Sequence, residues 1–173
     1  AMVKYVLTSI FYEFSKLIIF GIFFGFLGYF KSFLVSLILL LFLRINIGGI
    51  HCKHYITCFL LTFVVLFSSI ILLPKLLFVA PILIISICTI CMIINYKIGP
   101  IASPFRPSPD SILIKKCRNT GFVIIFIFII FVSFFHEFSL FATYFQVGFW
   151  TIVLHTAQLF IAKISKKEEC ANA

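Results

Sequence analysis

Long apolar runs alternate with short polar segments along this chain, and that alternation most constrains how it can fold. The run Tyr55–Leu73 contains 19 residues and no charged side chain. A helix of that length rises about 28 Å, close to the ~30 Å thickness of bilayer hydrocarbon. Because backbone polar groups need internal partners in lipid, these runs are predicted to be helices.

The composition supports the same class of protein. Of the 173 residues, 63% are hydrophobic and 11% are charged, whereas soluble domains are about 25% charged. We therefore predict an all-α fold, a polytopic integral membrane protein with about six transmembrane or partly re-entrant helices in one domain, residues 1–173. The predicted spans are approximately Tyr5–Phe30, Ser32–Leu43, Tyr55–Leu73, Leu76–Tyr96, Gly121–Phe135 and Phe138–Ile164.

Two features of these spans have structural consequences. The second span is short for a bilayer, so it either continues past Arg44 to Ile47 or ends inside the membrane. Pro81 lies one turn into the fourth span and is expected to kink it. The segment 97–119 is rich in proline and cations, and we interpret it as a loop without regular helix.

Lysine and arginine divide unequally between the two ends of this arrangement. Eleven lie on the side of the chain termini and two, Lys31 and Lys75, on the other side. Cytoplasmic loops carry the excess of these residues, so both termini, the loop 97–119 and the tail 165–173 are predicted to be cytoplasmic. The net charge of +9 is scattered between apolar spans, so no nucleic-acid partner is expected.

The segment Arg44–Cys58 concentrates polar chemistry between two spans. It holds two cations, Gly48-Gly49, two histidines and two cysteines. Such groups are costly near lipid, so the cluster is a functional-site hypothesis. The alternative is a short cytoplasmic turn whose Arg44 and Lys53 fix the topology.

Cys58 is the candidate nucleophile, because a neighbouring histidine or cation favours the thiolate form of cysteine. His54 lies four residues earlier, on the same helical face and about 6 Å away between Cβ atoms. His51 would be roughly 10.5 Å away along a straight helix. It reaches Cys58 only if the chain folds back, which Gly48-Gly49 permits. Spacing alone therefore favours His54.

A metal or haem site built from the same residues is an alternative to a thiol dyad. Histidine and cysteine are good metal ligands, but the spacing of His51, Cys52, His54 and Cys58 matches no closed zinc pattern. No metal or cofactor is therefore expected. No acidic third member is evident beside the cluster, so a dyad rather than a triad is predicted.

The motif Gly48-Gly-x-His51, followed seven residues later by Cys58, resembles the AgrB family of membrane cysteine endopeptidases. Arg44 shortly before the glycines and the six hydrophobic segments fit the same family. The resemblance implies that Cys58 is the nucleophile and His51 its base, which makes His54 a bystander. In place of the glutamate or glutamine usual early in the first span, this chain has Thr8.

The resemblance also implies a reaction and a location. An AgrD-like pro-peptide would be cleaved, held on Cys58 as a thioester, and closed by its own cysteine into a thiolactone quorum-sensing signal. The enzyme would lie in the bacterial cell membrane as a multi-pass protein. Supporting or binding roles are expected for Arg44, Gly48, Gly49 and Lys53, with Arg106, Lys115 and Lys116 as further cations for an acidic tail.

Two further expectations concern partners. Gly21, Gly25 and Gly28 lie on nearly one face of the first span, and such a face suits close helix packing either inside the bundle or at the seam of a homodimer. The alternative function is a non-enzymatic peptide exporter or assembly partner, which should carry polar groups at mid-membrane in several spans. Only Glu13, Lys16 and scattered serines and threonines offer that, and we interpret the first two as a structural i,i+3 pair.

Overall fold

The computed structural model describes residues 2–50, 55–101 and 110–171, with side chains except at 2–10, 12 and 165–171. The described residues are mostly helical and contain no strand. The helices are α1 (Met2–Phe26), α2 (Phe30–Ile47), α3 (Tyr55–Leu76), α4 (Pro81–Ile98), α5 (Ser111–Phe135) and α6 (Ser139–Ala171).

The predicted class, an all-α polytopic membrane protein, is confirmed. Among the described residues, the five helices α2 to α6 are long and apolar enough to cross a membrane. Helix α1 is 25 residues long. Helix α2 continues past Arg44 to Ile47, and its 18 residues rise about 27 Å. The first of the two options for the second span is therefore the observed one.

Proline acts differently from the prediction at two places. Pro81 is the first residue of α4 rather than a kink within it, because a helix needs no N–H at that position. Helix α3 contains a π-helical turn at Ser68–Leu72, continues through Pro74 and ends at Leu76. Proline has no N–H to donate to the regular helical hydrogen-bond pattern, and the wider π-helical turn lies shortly before Pro74.

The interpretation of 97–119 as a loop without regular helix is wrong for 111–119. Helix α5 begins at Ser111, ten residues before the predicted Gly121. Hydropathy marks only the part of a helix that lies in lipid, and the lysines and arginine of this first part are good helix formers. The backbone of α6 likewise remains helical to Ala171, beyond the predicted end of the sixth span at Ile164.

Helix α6 lies at the centre of the bundle, where it completes two apolar clusters. One joins the C-terminal half of α2 to α4, α5 and α6. The other joins α1, the N-terminal half of α2, and α3, with Val147 of α6. The first cluster includes Leu43, Ile47, Ile84, Cys88, Cys91, Ile125, Val132, Phe149, Ile152 and Leu159; the second includes Phe20, Phe24, Phe33, Leu40, Leu66 and Ile70.

Buried polar side chains hold α6 to its neighbours within the apolar interior. The Ser36 hydroxyl lies 2.8 Å from that of Thr151 and 3.1 Å from that of Ser69. Gln146 donates to the carbonyl of Val79 at 2.6 Å and accepts from its N–H at 3.2 Å. Residues 77–80 are not helical, so the side chain of Gln146 provides the partners that the Val79 N–H and carbonyl would otherwise find within a helix.

The three glycines of the first span do not form one helical face. Gly28 lies in the turn after α1, with φ +78°, a conformation that glycine adopts without steric cost. Gly21 faces Phe33 of α2, since a Cβ there would lie 3.8 Å from its ring. Gly21 therefore lies between α1 and α2 of one chain, and Gly25 is exposed.

Helix ends meet at the end of the bundle where α2 terminates. The N–H of Ile101 donates to the carbonyl of Ile47 at 3.0 Å, and Arg118 Nε donates to the carbonyl of Gly99 at 3.1 Å. These bonds join the C-terminal ends of α2 and α4 to the basic first part of α5. They provide a rigid platform for the segment that leaves α2.

Candidate active site

Cys58 lies one turn into α3, and its side chain is half-buried. Its carbonyl accepts a hydrogen bond from the Thr62 hydroxyl at 2.8 Å. The Lys16 ammonium of α1 lies 3.4 Å from the Cys58 sulfur. The candidate nucleophile thus faces a cation from another helix.

Lys16 is buried although it carries a charge, with 4% of its surface exposed. Its Nζ donates to Glu13 Oε1 at 2.7 Å and lies 5.7 Å from the centre of the Tyr55 ring. The sequence predicted the Glu13–Lys16 pair correctly. It did not reveal that the ammonium also reaches Cys58, because i,i+3 spacing identifies a partner within a helix but not the helix that packs beside it.

Arg44 approaches the same region from α2. Its Nη1 donates to the Thr62 hydroxyl at 3.2 Å, so Thr62 joins Arg44 to the carbonyl of Cys58. A cavity of about 70 Å³ lies between α1, α2 and α3, large enough for water. Its polar lining consists of Glu13, Lys16, Arg44 and Thr62, and its apolar wall of Leu17, Phe20, Leu37, Leu40, Leu41 and Leu66.

The chain turns away from α2 at Gly48, where a bend was expected. Gly48 has φ +86° and ψ −156°, a region essentially restricted to glycine. A Cβ at Gly48 would lie 2.6 Å from the carbonyl oxygen of Ile101. Gly49 is buried, and a Cβ there would meet only the Arg44 side chain, at 3.9 Å. The two glycines therefore differ: only Gly48 requires the absence of a side chain.

His155 of α6 holds this turn from the other side. Its ring is fully buried, and Nε2 lies 3.0 Å from the carbonyl oxygen of Gly48. A carbonyl only accepts, so Nε2 carries the proton. Nδ1 has no hydrogen-bond partner among the described residues. His155 was not predicted from the sequence, since a single histidine in an apolar span has no spacing partner to reveal it.

Some predicted residues lie outside the described part of the chain. These are His51, Lys53, His54 and Arg106, and the side chain of Thr8. The roles predicted for them stay predictions. Of the loop cations, Lys115 and Lys116 are exposed on α5. They line an open groove of about 470 Å³ with Ile112, Asn119, Thr120 and Val123.

The described residues gather a thiol, an ammonium, a guanidinium and a hydroxyl from three helices at one end of the bundle. A thiol beside a cation is suited to nucleophilic attack on an acyl group. The N–H groups in the first turn of α3 point out of the N-terminal end of that helix. Such donors can stabilise negative charge that develops on a carbonyl oxygen.

Comparison with known proteins assigns the chain to a family. No curated protein and no solved structure matches it. The profile of one family, Accessory gene regulator B, matches residues 1–160. Because that match covers nearly the whole chain, including α1 to α5 and the Cys58 region, the chain belongs to the AgrB family.

Proposed function

We propose that this protein is a membrane-embedded cysteine endopeptidase that cleaves an AgrD-like pro-peptide and helps to close it into a thiolactone autoinducing peptide. Membership of the AgrB family supports a role in a membrane, in processing the quorum-sensing peptide of the accessory gene regulator system. The observation that carries the finer proposal is the Cys58 thiol, half-buried and 3.4 Å from a buried ammonium. A thiol used only for packing would more commonly lie against apolar neighbours.

In the proposed reaction, Cys58 and His51 act as a dyad. His51 takes the proton of Cys58, and the thiolate attacks the carbonyl carbon of the scissile peptide bond. The C–N bond breaks, His51 returns the proton to the leaving amine, and the acyl group stays on Cys58 as a thioester. A cysteine thiol of the peptide then loses its proton to His51 and attacks that thioester. The thiolactone forms as the bond to Cys58 breaks.

The surroundings of Cys58 suit a charged peptide substrate. Arg44 lies in the wall of the adjoining cavity, and Lys115 and Lys116 are exposed at the start of α5. These cations, together with Lys53, can attract an acidic C-terminal part of a precursor. Gly48 and Gly49 would set the path of the chain into His51.

We propose a cytoplasmic position for this end of the bundle and for both termini, in a bacterial cell membrane. The described cations Arg44, Lys97 and Arg118 lie at the end where α2 and α4 terminate, whereas Lys31 and Lys75 lie at helix ends on the opposite side. An excess of cations at one end is typical of the cytoplasmic side. Two copies of the chain are further proposed to form a homodimer in the bilayer.

The alternative is a peptide exporter or assembly partner without catalysis. The buried polar contacts Ser36–Thr151 and Gln146–Val79 bind helices together rather than line a path, which favours the enzyme. The two functions differ in one observable. Only the enzyme forms a covalent bond between Cys58 and the peptide.

The experiment uses full-length protein in lipid vesicles and a synthetic AgrD-like precursor that contains an internal cysteine and an acidic C-terminal part. Mass spectrometry should show cleavage and a hydroxylamine-sensitive adduct on Cys58. Cys58→Ala should abolish both, while Cys117→Ala, another half-buried cysteine, should retain both. Cleavage by Cys58→Ala at the wild-type rate would contradict the proposal.

A further inference from the structure

We propose that Lys16 is a catalytic residue, which stabilises Cys58 as a thiolate before attack and again when that thiolate leaves the thioester. This rests on the proposed function, in which Cys58 is the nucleophile. Lys16 Nζ lies 3.4 Å from the Cys58 sulfur, within contact of the reacting atom. Neither the sequence motif nor the spacing around Cys58 pointed to a residue of α1.

The burial of Lys16 argues against a lysine that merely extends to the membrane surface. Lysines near helix ends commonly direct their ammonium into water, yet 4% of Lys16 is exposed. A buried ammonium requires compensating partners. Lys16 is paired with Glu13 at 2.7 Å, and its ammonium contacts the Cys58 sulfur on another side.

Glu13 and Tyr55 fix the position of the ammonium. Glu13 accepts from Nζ along α1, and the Tyr55 ring of α3 lies 5.7 Å from Nζ. The Tyr55 hydroxyl is itself 2.8 Å from that of Ser15, so α1 and the start of α3 are joined beside the thiol. The charge is thus held in place before the reaction, as electrostatic stabilisation of a transition state requires.

The chemistry uses this charge without transferring a proton from it. In the first step the proton of Cys58 passes to His51, and Lys16 keeps all three of its own. In the ring-closing step the bond between the acyl carbon and the Cys58 sulfur breaks, and the electron pair remains on sulfur beside the Lys16 ammonium. A stabilised thiolate leaves faster, so the same contact assists both halves of the reaction.

The test measures the reactivity of Cys58 without any peptide, so its failure is distinguishable from failure of the proposed function. Full-length protein in vesicles is alkylated with iodoacetamide at pH 7, and rates at Cys58 and Cys117 are read separately by mass spectrometry. Lys16→Met should slow alkylation of Cys58 at least tenfold relative to Cys117. Lys16→Arg should remain within about threefold of wild type, since it retains the charge. Lys31→Met, which removes an exposed lysine at the other end of the bundle, is the matched control.

A pH series separates a charge effect from a packing effect. The Cys58 rate of Lys16→Met should recover towards wild type at pH 9.5, where hydroxide rather than a neighbouring cation generates thiolate. Equal slowing at both pH values, or no slowing at pH 7, would overturn the proposal.

Discussion

The Nε2 atom of His155 lies 3.0 Å from the carbonyl oxygen of Gly48, although the two residues are 107 positions apart in sequence. Gly48 follows the last turn of α2, where carbonyl groups lack helical partners. The buried imidazole supplies the missing donor. The last helix of the bundle therefore fixes the turn from which the chain continues towards His51.

His155→Phe should lower both stability and peptide cleavage. The phenyl ring is larger than the imidazole ring and cannot donate a hydrogen bond, so the buried Gly48 carbonyl loses its donor, at a cost of about 1–3 kcal/mol. His155→Gln can still donate from its amide and is expected to lie nearer wild type. Thermal unfolding in detergent and the cleavage rate in vesicles measure the two effects. Equal behaviour of the two variants would contradict a role for the hydrogen bond.

Gly48→Ala and Gly49→Ala should behave differently despite their adjacency. Alanine at position 48 would be held in a backbone conformation that costs about 1–3 kcal/mol, and its Cβ would lie 2.6 Å from the carbonyl oxygen of Ile101. Alanine at position 49 would meet only the Arg44 side chain, at 3.9 Å. Melting temperature and cleavage rate should fall for the first variant and change little for the second. A reversed order would show that the turn differs in the working enzyme.

His51→Ala should abolish cleavage of the precursor, while His54→Ala should retain most of it. The reason is the resemblance of Gly48-Gly-x-His51 to the family motif, against the helical spacing that favours His54. Initial rates of precursor cleavage, normalised to folded protein, decide between them. Loss in His54→Ala with retention in His51→Ala would identify His54 as the base.

Cysteines introduced at the two ends of the bundle should be labelled from opposite sides of the membrane. In a background without the other thiols, Lys31→Cys and Lys75→Cys should react with an impermeant maleimide added to intact cells. Lys97→Cys should react only after the cells are opened, because the end that holds Arg44 and Arg118 is expected to face the cytoplasm. Labelling of Lys97→Cys from outside would invert the proposed orientation.

The dimer prediction is now best tested at Gly25 rather than at Gly21. Gly25 is exposed, so Gly25→Leu should disrupt a seam between two copies while leaving each subunit folded. Gly21→Leu should instead destabilise the subunit, since Gly21 is half-buried and the leucine atoms beyond a Cβ that lies 3.8 Å from the Phe33 ring would collide with α2. Light scattering after size-exclusion chromatography measures the mass. A monomeric wild type would refute the dimer, and a folded Gly25→Leu dimer would place the seam elsewhere.

The long apolar runs predicted the number and order of the helices, because such runs have few alternatives to helix in lipid. The start of α5 was mispredicted by ten residues. Its first turns carry Lys115, Lys116 and Arg118, which mark the end of the apolar region but not the end of the helix. The passage of α3 through Pro74 was also missed, since a local π turn leaves no hydropathy signal.

The local parts of the site were predictable and the long-range parts were not. The turn at Gly48 and the position of Cys58 near the start of α3 follow from adjacent residues. The contacts of Lys16 with Cys58 and of His155 with Gly48 depend on which helices pack together. The spacing of residues within one segment does not show which helices will pack together.

The central position of α6 has a consequence for biosynthesis. Val147 completes one apolar cluster, and Phe149, Ile152 and Leu159 complete the other, so neither cluster is finished while α6 is still being made. A growing chain that already contains Cys58 and Lys16 therefore lacks the helix that closes its interior and holds Gly48. Acquisition of a competent thiol should coincide with membrane insertion of the last helix, and ribosome-bound chains that end before α6 should remain inert towards the precursor.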